Sequence, residues 1–446
     1  MKMPWVVVSI LFLIWSYGIY EGYFGDYVDE PLSDALELSL VNFDRTLRLE
    51  DSLAGKPRVL RWLMYCDSPR EGMAQVRDGL VYLDSEGQLD KEAEWVLGLI
   101  RSELGEEVDP ETMPDGLFKE VIAGRAPEAA KVWALAAKVS SHDGRWWDAV
   151  IARRILEKGG ATDALRAALV VQDELDDKLL MRSIVSSGIF WAIGLLGLFF
   201  VPHAYRRMLE GWKNASTFRP VRYHSRWEPS LIFAVFLGAD LIGDEFVSGA
   251  YFVAEPWDTG FYFDVLLDTI WRLIPPVLAA AILFAKPRHA IRAFGMNRRP
   301  EWRIVLAVFG VLMGLDYFLY QVMKPFIAVD PVGNLDSMEI GWRGLFYGLL
   351  SACVAAPVAE EMFYRGLLLR GLEKRFGFVV AAVCVTGSFA LVHYYDLYGF
   401  ISVAIFGFSA LAVYRATGSL ITSIVLHSLY NLSITLPMWL VYHSRL

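Results

Sequence analysis

Two adjacent glutamates in the stretch 359–366, Ala-Glu-Glu-Met-Phe-Tyr-Arg-Gly, carry side chains that could act in catalysis. On a helix, Glu361 and Arg365 are four residues apart and share a face, so they can form a buried ion pair. Glu360 points about 100° away from Glu361 and has no cation on its own helix. A carboxylate in such an apolar setting can serve as a general base, but both glutamates could also simply end a helix near the cytoplasm.

Two histidines and an asparagine form the second group. His393 ends the stretch Phe-Ala-Leu-Val-His at 389–393, and His427 and Asn431 share one helix face because they are four residues apart. A histidine can act as base, acid or metal ligand, and an amide can donate a hydrogen bond to an oxyanion. Each motif alone is also consistent with a satisfied core residue. Together, the carboxylate, the imidazoles and the amide suffice to activate water and cleave a carbonyl bond.

These side chains lie in apolar runs that are long enough to form membrane-spanning helices. Hydrophobic residues make up 55% of the 446 residues, and the mean hydropathy is +0.36. A helix needs about 20 predominantly apolar residues to cross a bilayer. The sequence therefore predicts an all-α, polytopic membrane protein, with an N-terminal anchor and about eight further spans. The predicted spans are 4–20, 184–202, 229–251, 263–286, 303–322, 344–368, 378–397, 399–415 and 419–441.

Charge and hydropathy divide the chain into three predicted parts. The segment 21–182 carries about 33 acidic and 20 basic residues, against 51 and 42 in the whole chain, and has apolar residues at helical spacing. We predict that 1–20 is an uncleaved signal-anchor helix, that 21–182 is a soluble helical domain, and that 183–446 is a multispanning membrane domain. The charge balance argues against nucleic acid binding, which needs a basic stripe.

Basic loops predict the orientation of the chain in the membrane. Lys and Arg cluster in the loops at 206–226, 286–303 and 370–375, whereas the intervening loops at 254–264 and 323–342 are acidic. Loops rich in Lys and Arg usually face the cytoplasm. The alternation is consistent with nine spans. It places the N-terminus in the cytoplasm and both the soluble domain and the C-terminus outside.

Other charges in the apolar runs also need a partner or a function, because each costs about 2.5–3.5 kcal/mol to insert. Asp268 and Arg272 are four residues apart, which predicts a structural ion pair. Asp316 is isolated in its run and can join a network with another span. The run 229–251 carries carboxylates that either extend into water or have a function. They are Asp240, Asp244 and Glu245.

On these motifs the sequence resembles the CPBP family, also called the Abi or type II CAAX prenyl endopeptidase family. The family pattern is Glu-Glu-x-x-x-Arg, then Phe-x-x-x-His, then His-x-x-x-Asn/Asp. This chain carries the three motifs in that order at 360–365, 389–393 and 427–431. The resemblance covers about residues 300–441, and it explains neither the N-terminal anchor nor the soluble domain.

The resemblance implies an intramembrane endopeptidase. By this likeness, Glu360 would activate the attacking water, and His393 would position that water or transfer a proton. His427 and Asn431 would stabilise the tetrahedral oxyanion. The two remaining motif residues would hold the geometry of the site: Glu361 and Arg365.

Members of this family have been described both as metalloproteases and as metal-free glutamate proteases. Two histidines and a glutamate, here His393, His427 and Glu360, are a known zinc ligand set that leaves one position for water. The sequence has no His-Glu-x-x-His helix, and a zinc mechanism would need a second carboxylate as its base. The resemblance favours the glutamate mechanism, so we expect no cofactor, with zinc at these three residues as the alternative.

We expect the substrate to be a peptide or membrane protein that this protein binds within the lipid bilayer of a bacterial inner membrane. The soluble domain 21–182 can recruit a partner or gate a substrate. Two other functions stay open. A transporter would use the intramembrane charges as a path for protons or a solute, and a non-catalytic scaffold would use the soluble domain for binding and tolerate loss of both histidines.

Overall fold

The computed structural model describes residues 3–24, 35–66, 68–112, 116–141, 144–158, 163–213, 228–254, 257, 260–284, 286–327 and 341–443. Within these ranges the chain is helical apart from turns and short connections, and no β-strand occurs in them. The predicted all-α fold is therefore confirmed.

The helices are numbered along the chain. The first part contains α1 (Trp5–Phe24), α2 (Ala35–Leu53), α3 (Arg58–Leu63), α4 (Pro69–Ser85), α5 (Lys91–Leu104), α6 (Leu117–Ile122), α7 (Ala129–Val139), α8 (Trp146–Glu157) and α9 (Asp163–Leu198). The second part contains α10 (Val201–Lys213), α11 (Pro229–Ala254), α12 (Gly260–Leu283), α13 (Pro287–Phe294), α14 (Trp302–Met323), α15 (Trp342–Leu350), α16 (Ala356–Glu360), α17 (Arg370–Leu391), α18 (Leu397–Thr417) and α19 (Leu420–Met438). Among the described residues three segments are π-helical: π1 (Ser351–Ala355), π2 (Glu361–Leu369) and π3 (Trp439–His443).

Seven helical segments among the described residues are long and apolar enough to cross a membrane. They are Trp5–Phe24, Asp163–Leu198, Phe263–Leu283, Trp302–Phe326, Trp342–Glu373, Leu397–Thr417 and Leu420–Tyr442. The predicted spans 229–251 and 378–397 are also helical, but the first contains three carboxylates and the second ends early, at Leu391. The chain is an integral membrane protein, and a total of nine spans stays a prediction.

Polar residues and glycines mark the ends of several helices. The carboxylate of Asp90 accepts a hydrogen bond from the backbone N–H of Ala93 at 2.8 Å and caps α5. Asp396 caps α18 in the same way through the N–H of Gly399. The helix α18 ends at Gly418, whose φ of 63° suits a residue without a Cβ. The short connection between α17 and α18 contains His393.

The predicted span 344–368 is not one uniform α-helix. The segments π1 and π2 flank the five-residue α16, so Glu360 ends an α-helical stretch and Glu361 begins a π-helical one. Pro357 lacks a backbone N–H, which weakens the regular ladder at this point. Short π-helical bulges are frequent at functional sites because they rotate side chains relative to an unbroken helix.

The chain forms two compact units. The first comprises Met1–Val28, Ile189–Ile327 and Arg343–Leu436, and it contains every motif residue. Its core includes stacked rings of Phe236 and Phe363, whose centroids are 4.3 Å apart, so that α11 packs against π2. The helix α11 also packs against α1 and α12. These contacts surround the glutamate-bearing segment with helices from earlier in the chain.

The second unit is built mainly from Asp29–Gly188 and has its own core around Trp147. A buried cation organises it. The guanidinium of Arg48 donates to Asp44 on its own helix at 3.0 Å, to Asp176 on α9 at 2.6 Å, and to the carbonyl of Gly144 at 2.6 Å. This is the segment predicted as a soluble helical domain. The boundaries 21–182 themselves stay a prediction, as do 1–20 and 183–446.

Candidate active site

The centre of the site is Glu361, whose side chain is fully buried. Its Oε1 lies 3.0 Å from Nη1 of Arg365 and 3.1 Å from Nδ1 of His427. Its Oε2 accepts a hydrogen bond from the hydroxyl of Ser423 at 2.6 Å. The ion pair with Arg365 is the one the spacing predicted. A buried carboxylate with partners on both oxygens is suited to hold other groups in place.

Arg365 is also fully buried and ties three helices together. Its Nη2 donates to the carbonyl of Gly407 on α18 at 3.0 Å, and its guanidinium carbon lies 4.2 Å from the centre of the Phe389 ring. A Cβ at Gly407 would lie 2.9 Å from that ring, so a glycine is needed for this approach. Phe389 thus has a function within its motif, because its ring fills the space between Arg365 and His393.

His427 is oriented by the carboxylate of Glu361. A carboxylate only accepts hydrogen bonds, so the contact with Nδ1 places a proton on that nitrogen and directs Nε2 away from Glu361. Nε2 then faces Oε2 of Glu360 at 3.8 Å. This separation is too long for a direct hydrogen bond and falls within the span of a single bridging water molecule.

Glu360 has two different oxygens. Its Oε1 accepts a hydrogen bond from Nη1 of Arg272 on α12 at 3.1 Å. Its Oε2 is buried and has no hydrogen-bond partner among the described residues. A buried unpartnered carboxylate oxygen is unusual and indicates a place where a ligand or water belongs. The sequence analysis did not predict this pairing of Glu360 with a cation from another helix.

Arg272 is held by a second carboxylate. Its Nε donates to both oxygens of Asp268 at 3.0 Å, and its Nη2 lies 2.9 Å from the same group. The predicted pair of Asp268 and Arg272 is thereby confirmed. Asp268 also accepts a hydrogen bond from the hydroxyl of Ser351 at the start of π1. No local sequence pattern revealed Ser351 or Ser423, because each is an ordinary serine in an apolar run.

His393 lies in the turn that follows α17, and the sequence had placed it inside a span. Its Nδ1 is 2.6 Å from the carbonyl oxygen of Phe389, which puts a proton on Nδ1 and leaves Nε2 as an acceptor. The ring centroid of His393 lies 4.8 Å from that of Phe389, which in turn is 6.2 Å from the ring of His427. The next residue, Tyr394, has a φ of 52°, a conformation that costs energy for a residue with a Cβ.

Asn431 lies one turn beyond His427 on α19. Its Nδ2 donates to the carbonyl of Ala352 in π1 at 2.7 Å, so one of its two amide hydrogens is used. The second N–H is left for another acceptor. Tyr395, which no motif singled out, interacts electrostatically with both Glu360 and Arg272. The structure thus gathers the glutamates and His427 by direct contacts, with His393 and Asn431 around them.

Three of the other predicted intramembrane charges have structural partners. Asp240 accepts from the indole of Trp15 at 2.9 Å, and Asp244 accepts from the indole of Trp271 at 2.7 Å. Asp316 accepts from the hydroxyl of Ser402 on α18 at 2.6 Å, as expected for a network with another span. These contacts link α11 to α1 and α12, and α14 to α18.

The described part of the chain contains no three His, Cys, Asp or Glu side chains arranged to hold a metal ion. The alternative zinc set of Glu360, His393 and His427 does not assemble in this structure. Both histidines do place Nδ1–H on an oxygen acceptor, an arrangement that also occurs behind metal ligands.

One family model matches this chain. It describes the Rce1-like type II CAAX prenyl endopeptidases and matches residues 339–433. The matched segment holds all three motifs and lies inside the predicted range 300–441, so the predicted resemblance is confirmed. No curated protein and no solved structure matches the chain. A domain similar to this family of membrane proteases therefore occupies about a fifth of the chain, and α12 lies outside it.

Proposed function

We propose that this integral membrane protein, with its domain of the CAAX prenyl endopeptidase type, is an intramembrane endopeptidase that uses a glutamate to activate water. The observation that carries the proposal is the gap between Oε2 of Glu360 and Nε2 of His427. The two atoms are 3.8 Å apart, Oε2 has no described partner, and both are buried. One water molecule bridging them would sit between a base and an oriented imidazole.

In the proposed reaction, this water attacks the carbonyl carbon of a peptide bond and gives one proton to Glu360. His393 helps to position the water through its free Nε2. The carbonyl oxygen becomes an oxyanion, which the second N–H of Asn431 can stabilise. His427 contributes there when Nε2 carries a proton, and the carboxylate of Glu361 stabilises that imidazolium. The oxyanion then re-forms a carbonyl, the C–N bond breaks, and Glu360 passes its proton to the leaving nitrogen. The products are an amine and a carboxylic acid, which ionises by losing the second proton of the water.

In this mechanism neighbouring side chains have different roles. Glu360 moves the proton, whereas Glu361, Arg365 and Ser423 hold His427 in one orientation. All steps use protein groups and water, so we propose a metal-free reaction. The substrate is a peptide or membrane protein that enters from the bilayer. We further propose that the segment 21–182 recruits or gates it on the extracytoplasmic face of a bacterial inner membrane.

Comparative mass spectrometry of the membrane proteome tests the proposal in cells that produce the wild type or Glu360→Gln. Glutamine keeps the shape of the side chain but cannot take up a proton from water, so cleavage should fall by about 10²–10⁴-fold. A cleavage product present with the wild type should be missing with Glu360→Gln. That product would also identify the substrate.

Glu245→Gln is the matched control, because Glu245 lies on α11 with an exposed side chain outside the site. It should give the same products as the wild type at the same level of membrane insertion. If purified Glu360→Gln protein cleaves the identified substrate at the wild-type rate, the proposed mechanism is wrong.

A further inference from the structure

Arg272 contacts the proposed base but lies far outside the segment that resembles the protease family. It is on α12, 88 residues before Glu360, whereas the family match begins at residue 339. Its Nη1 donates to Oε1 of Glu360 at 3.1 Å, and the two side chains are 27% and 15% exposed. The contact is therefore a largely buried ion pair between two helices.

The helix α12 is fixed to the glutamate-bearing segment at two points. Arg272 reaches Glu360, and Asp268, one turn earlier, accepts the hydroxyl hydrogen of Ser351. Asp268 also holds the guanidinium of Arg272 through Nε and Nη2. Ser351 and Glu360 stand nine residues apart in a segment that runs from π1 through α16. The double attachment stops this segment from rotating or sliding along α12.

The ion pair makes the two oxygens of Glu360 inequivalent. Oε1 is occupied by Arg272, so Oε2 is the oxygen left to face Nε2 of His427. Without the guanidinium, the carboxylate could turn either oxygen toward the water position. An uncompensated carboxylate is also costly inside a membrane, and a buried cation reduces the cost of keeping it charged. A general base must be charged to accept a proton.

We propose that Arg272 is the positioning residue of the catalytic base, and that the catalytic unit of this chain includes α12. The proposal rests on the proposed function. Asp268 supports Arg272 by holding its guanidinium in one orientation. Arg272 acts through Glu360 and does not itself contact the peptide bond.

The first test needs no protease activity. Dicyclohexylcarbodiimide reacts with protonated carboxyl groups in apolar surroundings, and mass spectrometry locates the modified residue. In purified full-length wild type, Glu360 should be modified slowly because it is charged and paired. In Arg272→Gln the modification should rise about tenfold or more, since the buried carboxylate loses its cation. In Arg272→Lys, which keeps a cation, it should stay near the wild-type level.

Arg292→Gln is the control, because Arg292 on α13 is an exposed cation outside the site. It should leave the modification of Glu360 unchanged. Equal modification of Glu360 in wild type and Arg272→Gln would overturn the proposal. If Arg272→Gln aggregates in detergent, the comparison of Arg272→Lys with Arg272→His, read at a pH where the imidazole is neutral, gives the same decision.

The second test uses the substrate found by proteomics. Arg272→Gln should lower kcat by about 10²-fold with little change in KM, because orientation of the base affects the chemical step. Added guanidinium ion should restore part of the kcat of Arg272→Ala. An active Arg272→Gln beside an inactive Glu360→Gln would overturn the role of Arg272 alone. An active Glu360→Gln would overturn the proposed function, while carbodiimide labelling would still decide whether the ion pair exists.

Discussion

Two adjacent glutamates in this protein have opposite surroundings. Both oxygens of Glu361 have partners among Arg365, Ser423 and His427, whereas one oxygen of Glu360 has no described partner. This difference supports separate proposed roles: Glu361 would hold its neighbours in place, and Glu360 would react with the proposed water.

The pair of Glu361 and Arg365 should show strong coupling when it is mutated. Glu361→Gln leaves a buried guanidinium without its counter-charge, and Arg365→Gln leaves a buried carboxylate. Each single variant should lose about 3–5 kcal/mol of stability, measured as a lower unfolding temperature in detergent. The double variant should lose less than the sum of the two, because neither charge is then left alone.

The control for this double-mutant comparison combines Glu361→Gln with Arg292→Gln, since Arg292 lies outside the site. Those two effects should add, as expected for distant residues. Additive losses for Glu361→Gln and Arg365→Gln would contradict a direct buried pair. Cleavage should be lost in both single variants, because His427 is no longer held in one orientation.

Spacing of four residues predicted the two ion pairs near the site that each lie within one helical segment, at Glu361–Arg365 and Asp268–Arg272. It could not predict the pair between Arg272 and Glu360, because the two residues are separated by 88 positions and meet only when α12 packs on α16. Local periodicity describes neighbours on one helix. It contains no information about which helices become neighbours in space.

At the scale of helices, the site depends on interruptions that hydropathy does not reveal. A window average reads 344–368 as one apolar run, but the chain changes from π1 to α16 to π2 within it. The predicted span 378–397 also extends beyond the observed end of α17 at Leu391. A hydropathy average over a window continues through Val392 and tolerates a single histidine, His393. The turn after Leu391 places His393 beside the other site residues without requiring it to lie within a helix.

Close contact of helix backbones also positions the site. On α14, Gly310 touches Gly194 of α9 so tightly that a Cβ at Gly310 would lie 2.2 Å from the Gly194 carbonyl oxygen. Gly310→Ala should therefore push the helices apart and lower the free energy of unfolding by about 1–3 kcal/mol, measured as a lower unfolding temperature. Small residues allow such contacts where two membrane helices cross.

Gly314→Ala is the matched control on the same helix, one turn further along. A Cβ at Gly314 meets no atom within 4 Å, so this variant should be neutral or slightly stabilising through better helix propensity. Equal effects of the two substitutions on the unfolding temperature would show that the contact of α9 with α14 is not as tight as described.

At the scale of the whole molecule, the chain combines two compact units with different chemistry. The unit with the motifs has a core of apolar and aromatic residues, and its buried charges are gathered at the site and in a few helix contacts. The other unit is organised around the buried Arg48 with its two aspartates. The acidity of the segment 21–182 and the basic loops of the membrane domain predict the side of the membrane on which each lies. The segments 214–227 and 328–340, which carry much of this charge pattern, lie outside the described residues.

The orientation can be tested with single cysteines introduced into a variant that lacks the native ones. Cys66, Cys353 and Cys384 form no disulfide with one another and can be replaced by alanine. Trp133→Cys on α7 and Arg375→Cys on α17 then place thiols at exposed positions. If basic loops face the cytoplasm, a membrane-impermeant maleimide should label Trp133→Cys in intact cells and Arg375→Cys only after the membrane is opened. The reverse pattern would put the segment 21–182 in the cytoplasm, where it could not screen substrates outside the cell.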